Sequence, residues 1–138
     1  MPRTSAFDPT SILIDDAVDR LEGAYLRVYG NLYPDHQNML RAAGTMAMEI
    51  IANSDALYHN LEHTVMVTLV GQEILRGKHL REGSVSATDW VHFVVSLLCH
   101  DIGYVKGICT GDGPDVAVVN NAGKTVTIPA GATGAFLT

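Results

Sequence analysis

Four residues in this chain have the types and spacing to do chemistry together: His59, His63, His100 and Asp101. His59 and His63 stand four apart in Tyr58-His59-Asn60-Leu61-Glu62-His63. On a helix that spacing stacks both imidazoles on one face, close enough to serve one site. His100 and Asp101 follow the apolar run Trp90 to Cys99, where Gly103 and Gly107 require the helix to stop. Neutral imidazole and carboxylate are the ligands that borderline divalent metals accept. A carboxylate at the end of an apolar helix also needs compensation, because burying it unpaired costs several kcal/mol. Either motif alone is common as a packed or solvated pair. The two together, each against an apolar helix, point to a metal site.

A rival reading starts from the same residues. His59-Asn60-Leu61-Glu62-His63 fits the His-x-x-Glu-His pattern of inverted zinc peptidases, in which a distant glutamate completes the site. The last glutamate here is Glu82, and that reading leaves His100 and Asp101 without a role. It ranks behind.

The elements that must position these residues read as helices through the first hundred positions. Ser11 is placed to cap a helix whose apolar positions Ile14, Ala17, Val18, Leu21, Tyr25 and Val28 recur at helical spacing, and Gly30 ends it. Asp35 is placed to cap a second helix carrying Met39, Leu40, Ala43, Met46, Ala47 and Ile50, its methionines serving as core filler. The spacing of Leu61, Val65, Leu69 and Gln72 predicts a third helix from about Tyr58 to Leu75, with a polar connection between Gly77 and Gly83. Ser86, three before Asp89, predicts the start of a fourth helix. Because that helix is hydrophobic nearly all round, it is expected at the centre of the bundle. His92 and Cys99 are expected to be packed, and His36 and His79 exposed.

After Gly107 the composition changes. The last 32 residues hold six glycines and no glutamate, and Val116–Val119 and Thr125–Ile128 flank Asn120-Asn121-Ala122-Gly123-Lys124, which predicts a hairpin. The expectation is therefore a mainly α, single-domain chain over residues 1–138. It has a helical lead-in over 1–55, a metal-site core over 56–106 and a glycine-rich hairpin over 107–138. The chain stops without a cap or charged tail, and reads as the front part of a longer protein.

Composition narrows the partners. Fifteen acids against nine Lys and Arg give a net charge of -6. That disfavours a nucleic-acid polymer, which asks for a basic stripe. No stretch approaches the roughly 18 apolar residues of a membrane span, and no signal-peptide core is visible. Two cysteines, Cys99 and Cys109, make no disulfide framework and fit a reducing, cytoplasmic setting.

Tyr58-His59-Asn60 through His63, followed by Leu97-Leu98-Cys99-His100-Asp101-Ile102-Gly103, resembles the HD-domain superfamily of metal-dependent phosphohydrolases. The His-Asn-x-x-His form is similar to that of cyclic-nucleotide phosphodiesterases. The resemblance covers roughly Leu57 to Lys106. It implies a helical HD-like bundle in which His63, His100 and Asp101 are metal ligands and His59 is catalytic, donating a proton to the leaving oxygen. It implies one or two divalent ions, with Mn, Fe, Zn, Co, Ni or Mg all compatible, and a small phosphorylated substrate. The family's fourth ligand, an Asp on a later helix, has no counterpart, since Asp112 and Asp115 lie in a turn-like segment. The alternative is a metal-binding or signalling module of the same fold without turnover. Apolar surface left exposed in such an incomplete bundle implies a homo-oligomer.

Overall fold

The computed structural model describes residues 8–113, 115–118 and 122–129, and they form a mainly helical fold with a small antiparallel hairpin near the C-terminus. Four helices run in order: α1 (Pro9–Tyr29), α2 (Pro34–Ile51), α3 (Leu61–Glu82) and α4 (Ala87–Cys99). None of them is long and apolar enough to cross a membrane.

The helix starts show which cap wins. Asp8, not Ser11, caps α1: its carboxylate accepts from the Thr10 N–H at 3.1 Å, and Pro9 follows at a position that has no N–H to satisfy. Gly30 ends α1 at φ 64°, and its N–H bonds Leu26 O at 2.8 Å. At α2 the cap position is Tyr33, without a side-chain bond. Asp35 falls one place inside the helix, where its charge complements the helix dipole. Ser86 caps α4 as its spacing predicts, accepting from Asp89 N at 3.0 Å.

α1 buries Ile14, Ala17, Val18, Leu21, Ala24 and Tyr25 against Leu40, Ala47, Met48 and Ile51 of α2, while Met39 and Met46 stay outside, 50% and 62% exposed. The core therefore takes one of these three methionines. α4 packs on α2 and α3, burying Trp90, Val91, Val94 and Leu98 completely. It is not apolar-buried all round: His92, Phe93 and Cys99 are exposed. At Gly71 of α3 a Cβ would meet the tip of Leu97, which would have to turn aside.

α3 is mixed: beside Leu61 and Val65 its inner face also buries polar side chains. Thr64, Thr68 and Gln72, each four residues on from the last, are buried at 1%, 1% and 3% exposure, while Met66, Val70 and Ile74 face outward. The helix runs through Gly77 to Glu82, past the expected polar connection. Ion pairs Arg76–Glu73 and Lys78–Glu82, both at 2.9 Å, line that last stretch.

The hairpin pairs β1 (Val116–Val118) with β2 (Thr125–Thr127), Ala117 opposite Val126. Its expected turn lies partly outside the described residues.

Candidate metal centre

His59 and His63 do not share a helix. Asn60 adopts an extended conformation and caps α3, its Oδ1 accepting from His63 N at 3.0 Å, so the helix begins at Leu61 and His59 stays in the preceding turn. Ser54 holds that turn by donating its hydroxyl to His59 O at 2.8 Å. Cap chemistry thus decides how the two rings meet. They are edge to face, with centroids 5.3 Å apart.

At the far end of the pair, α4 stops at Cys99. His100 occupies the cap position, and Asp101 leads into a single 3₁₀ turn, Ile102–Tyr104. This brings the C-terminus of α4 beside the N-terminus of α3. Asp101 is buried, with 8% of its side chain exposed, and its Oδ2 is the meeting point. His59 Nδ1 lies 3.1 Å from it, His63 Nε2 3.2 Å and His100 Nε2 2.9 Å. All four residues singled out by sequence therefore converge on one oxygen. His59, His63 and Asp101 form the tighter set, with ligand atoms all within 4.8 Å of one another, and His100 is outside that set.

Hydrogen-bond chemistry makes this cluster more than a group of neighbours. His100 Nδ1 lies 2.5 Å from Leu97 O, an acceptor only, so Nδ1 must carry the ring proton and donate it. In a neutral ring that leaves a lone pair on Nε2, and Nε2 faces a carboxylate oxygen at 2.9 Å. A proton shared between the two atoms satisfies that contact, as would a cation held by both. The three imidazole-to-carboxylate distances are those of N–H···O hydrogen bonds.

Aromatic rings that the sequence reading did not single out complete the site. Tyr104 stacks on His59 with centroids 4.0 Å apart and planes 10° from parallel, and Tyr58 packs on His63 at 4.5 Å. Tyr104 was findable in principle: it stands three after Asp101, one 3₁₀ turn on. Lys106 and Asp55, paired at 3.1 Å, tie the segment after Asp101 to the segment before His59. Glu62 is a solvent-facing residue of the first helical turn.

Elsewhere the histidines take other roles. His36 bonds the Tyr25 hydroxyl at 3.2 Å, His79 packs on Tyr29, and His92 is exposed. Cys99 and Cys109 are both free and exposed. Asp112 serves the hairpin: its carboxylate accepts from Cys109 N at 2.9 Å and Val118 N at 2.8 Å. These amides, Val118 first, hold its carboxyl below the ordinary aspartate range.

A family described as Npun_R2479-like matches residues 7–138. No curated protein and no solved structure matches the chain.

Proposed function

The chain belongs to the Npun_R2479-like family, and for it we propose the activity of a metal-dependent phosphohydrolase of HD type, acting on a phosphomonoester or phosphodiester, nucleotides included. The observation that supports this reading is the convergence of three imidazoles, from His59, His63 and His100, on one buried carboxylate oxygen of Asp101.

In this reading His63, His100 and Asp101 hold the ion. Once bound, the ion lowers the pKa of coordinated water and screens phosphate charge. His59 Nδ1 donates to the Asp101 carboxylate, so a second proton on Nε2, the one passed to the leaving oxygen, makes the ring an imidazolium paired with that carboxylate. Tyr104 keeps that ring in one plane. Asn60 orients His63 through the backbone of the first helical turn, not through its imidazole. The substrate is a small phosphorylated molecule of the cytoplasm, and the working unit is a homo-oligomer.

A second reading, a metal-binding or signalling module without turnover, is favoured by a specific observation. Among the described residues the mutually close donors include a single carboxylate, and Asp112 is engaged by the hairpin.

Elemental analysis of the purified chain beside a His100→Ala/Asp101→Ala variant tests the site. The expected result is near-stoichiometric transition metal in the parent and none in the variant. A parent that stays empty after incubation with Mn, Fe or Zn overturns both readings. On the loaded protein, turnover of p-nitrophenyl phosphate or its bis ester separates the enzyme from the silent module. His59→Ala is expected to keep the metal and lose turnover by about 100-fold or more. Loss of metal instead would make His59 a ligand.

A further inference from the structure

A groove of about 670 Å³ runs between α3 and α4, a volume within the range of small-molecule pockets. Met66, Val70 and Ile74 of α3 wall it together with Phe93 and Leu97 of α4. One end of it is the candidate metal centre, because His63 lines the groove and also places Nε2 3.2 Å from the Asp101 carboxylate.

Polarity is unevenly spread along this groove. Its lining side chains that carry nitrogen or oxygen are Tyr58, Asn60 and His63, all at the site end. Asn60 Oδ1 is already taken by His63 N. From Met66 onward the described lining offers hydrocarbon and one thioether. The backbone polar groups there are engaged along the helices themselves.

We propose that the groove receives the apolar part of the substrate, so that the phosphoester acted on at the cluster is the ester of a long-chain alcohol and not a nucleotide. The inference rests on the phosphohydrolase reading and narrows its substrate class. Groove and cluster share His63, so one ligand has to suit both: an anionic head at the histidines and an apolar tail along α3. A nucleoside suits this lining badly. Each donor or acceptor of a base or sugar that loses water there without a new partner weakens binding by about tenfold. An alkyl chain gains at every methylene instead. Length agrees with a single chain, since His63 to Ile74 is eleven residues, about 16 Å along the axis. In the reaction, water adds to phosphorus and the P–O bond to the alcohol breaks. The alcohol leaves with the proton from His59, which a proton of the attacking water replaces, and inorganic phosphate remains.

Isothermal titration calorimetry of the full chain after incubation with Mn is the test, using ethyl, hexyl and dodecyl phosphate below their micelle concentrations. Affinity is expected to rise by up to about fourfold per methylene and to level off once the groove is filled. Dodecyltrimethylammonium, the same tail with the opposite head charge, is expected to bind about tenfold or more weakly than dodecyl phosphate. Val70→Glu is expected to cut the dodecyl-to-ethyl affinity ratio about tenfold or more. Circular dichroism is expected to show unchanged helix content, since Val70 is 56% exposed. Ile74→Glu, at the far end, is expected to cut dodecyl binding more than hexyl binding. Affinity independent of chain length overturns the proposal, even where p-nitrophenyl phosphate is turned over and the phosphohydrolase reading stands. Equal binding of the two head groups overturns it as well, because the groove then takes any apolar tail. Phosphate-selective, length-dependent binding by a chain that hydrolyses none of these esters overturns the phosphohydrolase reading, and the assignment of a substrate falls with it.

Discussion

The pair α1–α2 and the helix α3 differ in what their inner faces bury. In α1 the inward positions are Ile14, Ala17, Val18, Leu21, Ala24 and Tyr25, and charge faces out, as in the Arg20–Asp16 and Arg41–Asp19 pairs at 2.8 Å. In α3 the inward stripe is Thr64, Thr68 and Gln72, whose Oγ1, Oγ1 and Oε1 atoms find no hydrogen-bond partner among the described residues, and the apolar stripe faces out. Burial of apolar area holds the first pair together. α3 gains less from its inner face, and relies on Leu61 and Val65, with Leu69 and Leu75 packed beside them. The difference separates two helices whose apolar side chains lie inside from one that also carries an exposed apolar stripe.

The largest test of that contrast compares two truncations. Leu21→Ala is expected to cost about 2–5 kcal/mol, because it opens a cavity in a site 1% exposed. Ile74→Ala, of similar chemistry but 68% exposed, is expected to change the stability of the single copy by less than about 0.5 kcal/mol. Chemical denaturation of both at a concentration where the chain is monomeric checks this, and equal losses would erase the contrast.

A smaller and more pointed test exchanges hydroxyl and methyl. Thr68→Val removes a buried hydroxyl without a partner and is expected to stabilise by about 1 kcal/mol. Val18→Thr, the reverse change in α1, is expected to destabilise by about 1–3 kcal/mol. The same sign for both would mean that the two inner faces are alike.

The smallest effect lies outside the helices altogether. The Asp112 carboxyl is held low by the Val118 and Cys109 amides. Its contribution to the hairpin is therefore fully present above about pH 4, the ordinary aspartate value, and is lost as pH falls through the lower folded value. Amide chemical shifts of Cys109 and Val118 are expected to move at acid pH before those of the helices do.

Much of this was legible in the sequence, and the misses have physical causes. The inner face of α1 follows from spacing alone, because apolar side chains there do what period and burial demand. The start of α3 does not: the period continues back to Tyr58, but Asn60 competes for the first free amides, takes His63 N, and ends the helix one residue short of His59. The four site residues were readable as types. Their convergence on one oxygen was not, because it depends on where α4 stops relative to where α3 starts. Met39 and Met46 were misplaced because their spacing fits an apolar stripe that lies one position away from the buried one.

α3 and α4 form a helical hairpin whose short connection, residues 83–86, is at one end and whose site is at the other. A hairpin of this kind zips from its turn, and the open end frays first. The site residues sit at that end, where the contacts of His59 and His63 with Asp101, beside the Lys106–Asp55 pair, join the start of α3 to the end of α4. Occupancy should then register far from the histidines, as slower amide hydrogen exchange along the whole of α3 and α4.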